Sequence, residues 1–108
     1  MPVYQIRSLS DFKTTLKQKQ YVMVNFTATW CAPCKVIKPI FKSLSDSEEF
    51  EKVLFLMIDV DEHNDISSFC DVVSMPTFHL YKDGNRIWNA IGAGNPEKLK
   101  NILLTLDN

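Results

Sequence analysis

Strand-like and helix-like patterns alternate along this chain, and the alternation predicts a three-layer α/β domain, a sheet with helices over both faces. Three observations carry that prediction. Residues 21–26 and 53–60 are nearly continuous apolar runs, as strands covered on both faces should be. Around them, apolar residues recur at i, i+3, i+4 and i+7, the spacing of amphipathic helices. The 108 residues, 45% hydrophobic, fit one compact domain over 1–108, long enough to bury a core without disulfide or metal staples.

Taken in order, residues 3–6 read as a short strand. Ser8 followed by Asp11 then opens a helix carrying Leu9, Phe12 and Leu16 on one face. The strand at 21–26 contains one polar residue, Asn25. After Cys31 and Cys34, the positions Ile37, Ile40, Phe41 and Leu44 define a second helix, with Pro33 in its first turn and Pro39 inside it, where a kink is expected. Residues 45–52 end that helix and form a loop before the strand at 53–60. A short helix over 64–70 should turn Ile66 and Phe69 inward. Residues 77–81 alternate, Asp83-Gly84 makes a tight turn, and 86–91 returns as an antiparallel partner. Asn95 should cap a last helix with Pro96 at its first position and Leu99, Ile102, Leu103 and Leu106 in one stripe. Right-handed crossovers make the sheet largely parallel, with the closing hairpin adding antiparallel edge strands.

Charge excludes two classes of partner. With 12 Lys+Arg against 13 Asp+Glu the chain has neither the basic surface that nucleic acid requires nor that of a protein held to anionic membranes. Its longest apolar run, 53–58, is far short of the ~20 residues of a spanning helix. Residues 1–5 lack the basic start and apolar stretch of a signal peptide, and the cysteine count of three is odd. A reducing, cytoplasmic setting is expected.

Cys31 and Cys34 lie at the end of the 21–27 strand, the carboxyl edge where such sheets bind their ligands. Two cysteines with two residues between them can close a small disulfide ring. At a helix N-terminus the first thiol meets unpaired backbone N–H groups and the positive end of the helix dipole. Cys pKa values in such motifs fall from ~8.5 towards ~7, making the exposed Cys31 thiol a nucleophile and Cys34, one turn on, the thiol that resolves a mixed disulfide. Zinc is a poor fit, because Cys70, His63 and His79 are scattered rather than paired. A purely structural disulfide gains little from so short a loop. Redox chemistry remains.

The segment Phe26-Thr27-Ala28-Thr29-Trp30-Cys31-Ala32-Pro33-Cys34-Lys35 resembles the active-site segment of thioredoxins. Phe12, Pro39, Asp59-Val60-Asp61, Met75-Pro76-Thr77-Phe78, Lys82-Asp83-Gly84 and Gly92-Ala93 resemble further landmarks of that family, in order, over essentially the whole chain. The resemblance implies a mixed five-stranded sheet, order 1-3-2-4-5, flanked by four helices. It implies a cis Met75-Pro76 bond facing the cysteines, with the Met75 backbone pairing with extended substrate. Trp30, Ala32, Pro33, Gly92 and Ala93 would form a flat apolar rim accepting many partners. By the same resemblance no metal or cofactor is bound, electrons come from NADPH through a thioredoxin reductase, the substrates are disulfide-containing proteins, and the chain is a monomer.

Two departures stand out. Ala32 replaces a usual Gly, which restricts the backbone and bears on the reduction potential. Asn25 stands where thioredoxins usually carry a buried Asp that accepts the proton of the second Cys, and Met57 where relatives often have a charged residue. An amide cannot take that proton, so resolution by Cys34 should be slower unless water or another group substitutes. The pocket behind Cys34 is then neutral as a unit, trading proton transfer for stability, and Asn25 is otherwise a satisfied core amide. The alternatives to a general reductant are a specialised oxidase, isomerase or single-partner reductant, and a binding module that uses its cysteines little. Cys70 reads as core packing, His63 and His79 as surface residues, Trp88 as cover for the sheet, and Lys35 as solvated.

Overall fold

The computed structural model describes residues 3–106, so Met1 and Pro2, at the start of the N-terminal segment read above, lie outside it. Its elements are α1 (Leu9–Gln18), β1 (Tyr21–Thr27), α2 (Ala32–Asp46), a 3-10 turn (Glu48–Phe50), β2 (Val53–Asp59), α3 (Asn64–Phe69), β3 (Thr77–Lys82), β4 (Asn85–Ile91) and α4 (Glu97–Leu104). The strands form one mixed sheet in the order β2-β1-β3-β4.

Among the described residues the sheet has four strands rather than five. The predicted strand at 3–6 contracts to a single parallel bridge between Tyr4 and Leu56, with the Tyr4 N–H donating to the Phe55 carbonyl at 2.8 Å. The reason is local. Ile6 turns into the core, 5% exposed, and Ser8 already caps α1, its hydroxyl accepting from the Asp11 N–H, so the chain leaves the sheet edge after one pairing. The segment still lies beside β2, where the expected order puts it.

The sheet is also less parallel than expected. Apart from the Tyr4 bridge, β1 and β2 are the one parallel pair among the described residues, whereas β3 runs antiparallel to β1 and β4 antiparallel to β3. Between β2 and β3 stands a six-residue helix, ~9 Å long at 1.5 Å per residue, against ~23 Å for a seven-residue strand. The connection, residues 60–76, does not return the chain to the far edge. β3 therefore starts at the end where β2 stopped, with Thr77 opposite Phe26, and the loop before it is delivered to the same edge as Cys31.

Two cores lie on the two faces. Phe12 and Leu16 of α1 and Ile66 of α3 pack with Val22, Val24 and Phe26. Ile37 and Phe41 of α2 and Leu99 and Leu103 of α4 pack with Tyr21, Met23, Phe55 and Phe78. Each such side chain contributes ~1.5–3 kcal/mol on burial. α2 runs on through Pro39 to Asp46.

Three local expectations need correction. Phe69 points outward, 53% exposed with the Lys13 ammonium 4.5 Å over its ring, because the inward face of α3 is set by Ile66 and completed by Ser67 and Cys70. Asn95 supplies no side-chain cap to α4. Instead its carbonyl accepts from the Lys98 N–H at 3.2 Å, and Pro96 sits just before the first helical residue. His79, expected at the surface, is 2% exposed, because β3 is a central strand covered on both faces. The Asp83-Gly84 turn is as read, with both residues at positive φ, 51° and 86°, as a type I′ hairpin requires.

Candidate active site

At the carboxyl edge of the sheet β1 ends at Thr27, and Cys31 becomes the N-cap of α2 with Pro33 in the first turn. Pro33 lacks the N–H that this position would leave unpaired, and Ala32 is the first residue of the helix. Capping places the Cys31 Sγ 3.2 Å from the Cys34 N–H, which donates to it. The two cysteines are joined as a disulfide with Cα atoms 5.3 Å apart. Cys31 is 4% exposed in this state, less open than the sequence suggests, and Cys34 is 2% exposed.

The second half of the site arrives from the other side of β1. Met75-Pro76 is a cis peptide, and the Met75 carbonyl oxygen lies 3.6 Å from the Cys31 Sγ. Pro76 is held in turn by β4, because the Gly92 N–H donates to its carbonyl at 2.8 Å. Gly92 has φ 90°, a conformation that side-chain-bearing residues rarely adopt, with open space where a Cβ would be. Glycine serves the backbone there. Ala32, Pro33 and Gly92 are exposed, while Ala93 is half-buried against the α2 and α4 core.

Trp30 stands 67% exposed beside Cys31, and its Nε1–H donates to the Asp61 Oδ2 at 2.9 Å. Asp61 is thus a site residue that sequence reasoning counted only as a landmark. The signal was the pair of acids at 59 and 61 just past an apolar strand. Asp59 folds that turn, its Oδ1 accepting from the N–H groups of Asp61 at 2.8 Å and Glu62 at 3.3 Å.

Behind Cys34 the strands carry the two departures. Asn25 and Met57 are register partners on β1 and β2. Asn25 is wholly buried, and neither its Oδ1 nor its Nδ2 has a hydrogen-bond partner among the described residues, so it is not the satisfied amide expected. An unpaired buried amide costs ~1–3 kcal/mol. Met57 and Cys34 border a cavity of about 450 Å³ that also receives Lys38, Asp59, Glu62 and His63. His63 is half-buried there rather than on the open surface. Neutrality therefore holds at Asn25 and Met57 and ends two residues along β2, at Asp59.

Cys70 is elsewhere. It closes the C-terminus of α3, buried, on the α1 side of the sheet. The Arg86 guanidinium only donates, so the His79 Nε2 at 3.3 Å accepts from it. The His79 Nδ1–H then donates to the Tyr81 hydroxyl at 3.2 Å, and the Tyr81 hydroxyl and the Cys70 Sγ share a hydrogen bond at 3.5 Å. Burial, with the Arg86 charge adding to it, pushes His79 down to about 4. Burial likewise pushes the Cys70 thiol and the Tyr81 hydroxyl up. Among the described residues no three His, Cys, Asp or Glu side chains gather as a metal would require, and no helix is long and apolar enough to cross a membrane.

A disulfide at the N-cap of a helix, facing a backbone carbonyl from a cis-proline loop, defines the class as a dithiol–disulfide exchange protein. The thioredoxin family model matches residues 3–105. The thioredoxin of Ictalurus punctatus is 49% identical over 100 residues, covering 91% of this chain and 92% of the relative. That of Gallus gallus is 45% identical over 106 residues, covering 96% and 98%. The solved structure of Malassezia sympodialis thioredoxin superposes with a TM-score of 0.89 at 38% identity, covering 96% of this chain and 92% of that one. The chain belongs to the thioredoxin family. It is a protein dithiol–disulfide oxidoreductase that works through Cys31 and Cys34.

Proposed function

We propose that Cys31 attacks a disulfide of a partner protein and that Cys34 resolves the mixed disulfide, releasing the partner reduced. The observation that carries this assignment is the Cys34 N–H directed at the Cys31 Sγ at the positive end of α2. A thiolate on Cys31 keeps that hydrogen bond and gains from the dipole, whereas Cys34 lies inside the first turn with its side chain buried. The Met75 backbone, set against the Cys31 Sγ, is placed to pair with an extended stretch of the partner, and Trp30, Ala32, Pro33, Gly92 and Ala93 flank it.

The reducing equivalents come from NADPH through a thioredoxin reductase, and the protein works as a monomer in electron transport and redox homeostasis of the cytoplasm. The buried, unpaired Cys70 thiol supports a reducing compartment. The test is turnover of a protein disulfide with NADPH and a thioredoxin reductase. Cys31→Ser should abolish it, and Cys34→Ser should stop after one attack with the partner trapped on Cys31. Trapping on Cys34 in the Cys31→Ser variant instead would reverse the two roles.

A further inference from the structure

Resolution requires that Cys34 lose its proton, yet Asn25, the register partner of the Met57 that borders the same cavity as Cys34, is an amide without a partner among the described residues and cannot accept one. Cys34 nevertheless borders the 450 Å³ cavity, which is roomy enough for solvent to bridge polar groups. Charged or titratable groups reach that cavity from three elements, Lys35 and Lys38 from α2, Asp59 from the end of β2, Glu62 and His63 from the turn that follows, while residues 5–6 and the end of β1 bring none. The two ammonium groups have no lone pair to offer. Three acceptors remain.

We infer that Asp59 receives the Cys34 proton across this cavity, taking over the task that Asn25 cannot perform. The inference rests on Cys34 being the resolving thiol. Its geometry comes from the sheet. Met57 and Asp59 are two apart on β2 and share a face, and their register partners are Asn25 and Thr27 on β1. The carboxylate is thus carried on the same face as the missing acid, one step nearer the cysteine edge. It is also aimed. The Asp61 and Glu62 N–H groups hold Oδ1, and Oδ2 is unpaired among the described residues. Glu62 is exposed, and the His63 side chain makes no capping bond that would fix its ring.

In the step itself the Cys34 S–H proton passes to the Asp59 carboxylate through bridging solvent, and the resulting thiolate attacks the Cys31 Sγ. The Cys31–Cys34 bond forms as the bond from Cys31 to the partner sulfur breaks. The electron pair leaves on that sulfur, which takes a proton back from the Asp59 carboxyl or from solvent. Both cysteines end oxidised and the partner disulfide ends reduced.

Single-turnover kinetics separate formation of the mixed disulfide from release of the partner. Asp59→Asn keeps an acceptor for the two turn N–H groups, and Asp59→Ser is a second variant lacking the carboxylate that still caps such a turn. Both should slow release about tenfold or more, since general acid–base help is worth ~10²–10⁴ where fully operative, and should leave formation unchanged. The release rate of each variant should also rise with pH more steeply than in the unaltered protein, and Asn25→Asp added to Asp59→Asn should restore it. A purely structural effect would move both phases and the melting temperature and would not be rescued. Unchanged release in both variants, or slowing only in His63→Gln or Glu62→Gln, overturns the assignment. Release persisting in Cys34→Ser would instead overturn the reading of Cys34, a separate result.

Discussion

The Cys31/Cys34 end of the sheet and the Cys70 cluster set the same side chain in opposite surroundings. Cys31 caps the N-terminus of a fifteen-residue helix, accepts a backbone N–H and faces a surface edged by exposed Trp30. Cys70, 6% exposed against 4% for Cys31, caps the C-terminus of α3, the negative end of its dipole, with its thiol pushed up by burial and Tyr81 as neighbour. Reactivity here follows from which helix end a thiol occupies and what it faces, not from the residue type.

The largest effect that could break this contrast is alkylation of the reduced protein at neutral pH. Cys31 should react with iodoacetamide at least about a hundredfold faster than Cys70, the thiolate being the nucleophile. Mass mapping of the modified peptides reads the two rates, and comparable labelling would erase the distinction. Correspondingly, Cys70→Ser should leave turnover within about twofold.

A smaller effect sharpens the picture at Asn25. Asn25→Asp should speed disulfide reduction severalfold, because it places a carboxylate behind Cys34, and should lower the melting temperature by several degrees, because a buried charge without a partner is costly. Thermal denaturation and steady-state kinetics on the one variant check both. If neither changes, the account of that pocket as a trade between proton transfer and stability is wrong.

The smallest effect belongs to the Cys70 cluster and concerns pH. His79 binds a proton near 6.5 when unfolded but only at about 4 when folded. Between those values the unfolded state holds more protons, so stability is full above about 6.5 and falls as the pH drops towards 4. Melting temperatures over that range should decline, and His79→Gln should flatten the decline while leaving Cys31 alkylation unchanged.

Much of this was legible in the residues. The apolar runs at β1 and β2, the N-cap Ser8, the Asp83-Gly84 turn and the Cys31 to Cys34 spacing are local signals, and the structure places them as read. The misreadings share one origin. Residues 3–6 look like a strand but meet only one partner residue, and Phe69 and His79 were assigned a side without knowing what lay over them. Asp61 could not be tied to Trp30 by any pattern, since thirty-one residues separate them.

The sequence by itself determined the thiol pair, the helix that begins on it, and the exchange of a carboxylate for an amide at position 25, because these depend on neighbours along the chain. Only the tertiary structure decided that Asn25 goes unpartnered among the described residues, that Asp59 shares a cavity with Cys34, and that His79 is inside. Those facts depend on strand register and on where the connection between β2 and β3 delivers the chain. Periodicity reports which face a residue takes and is silent on what covers that face.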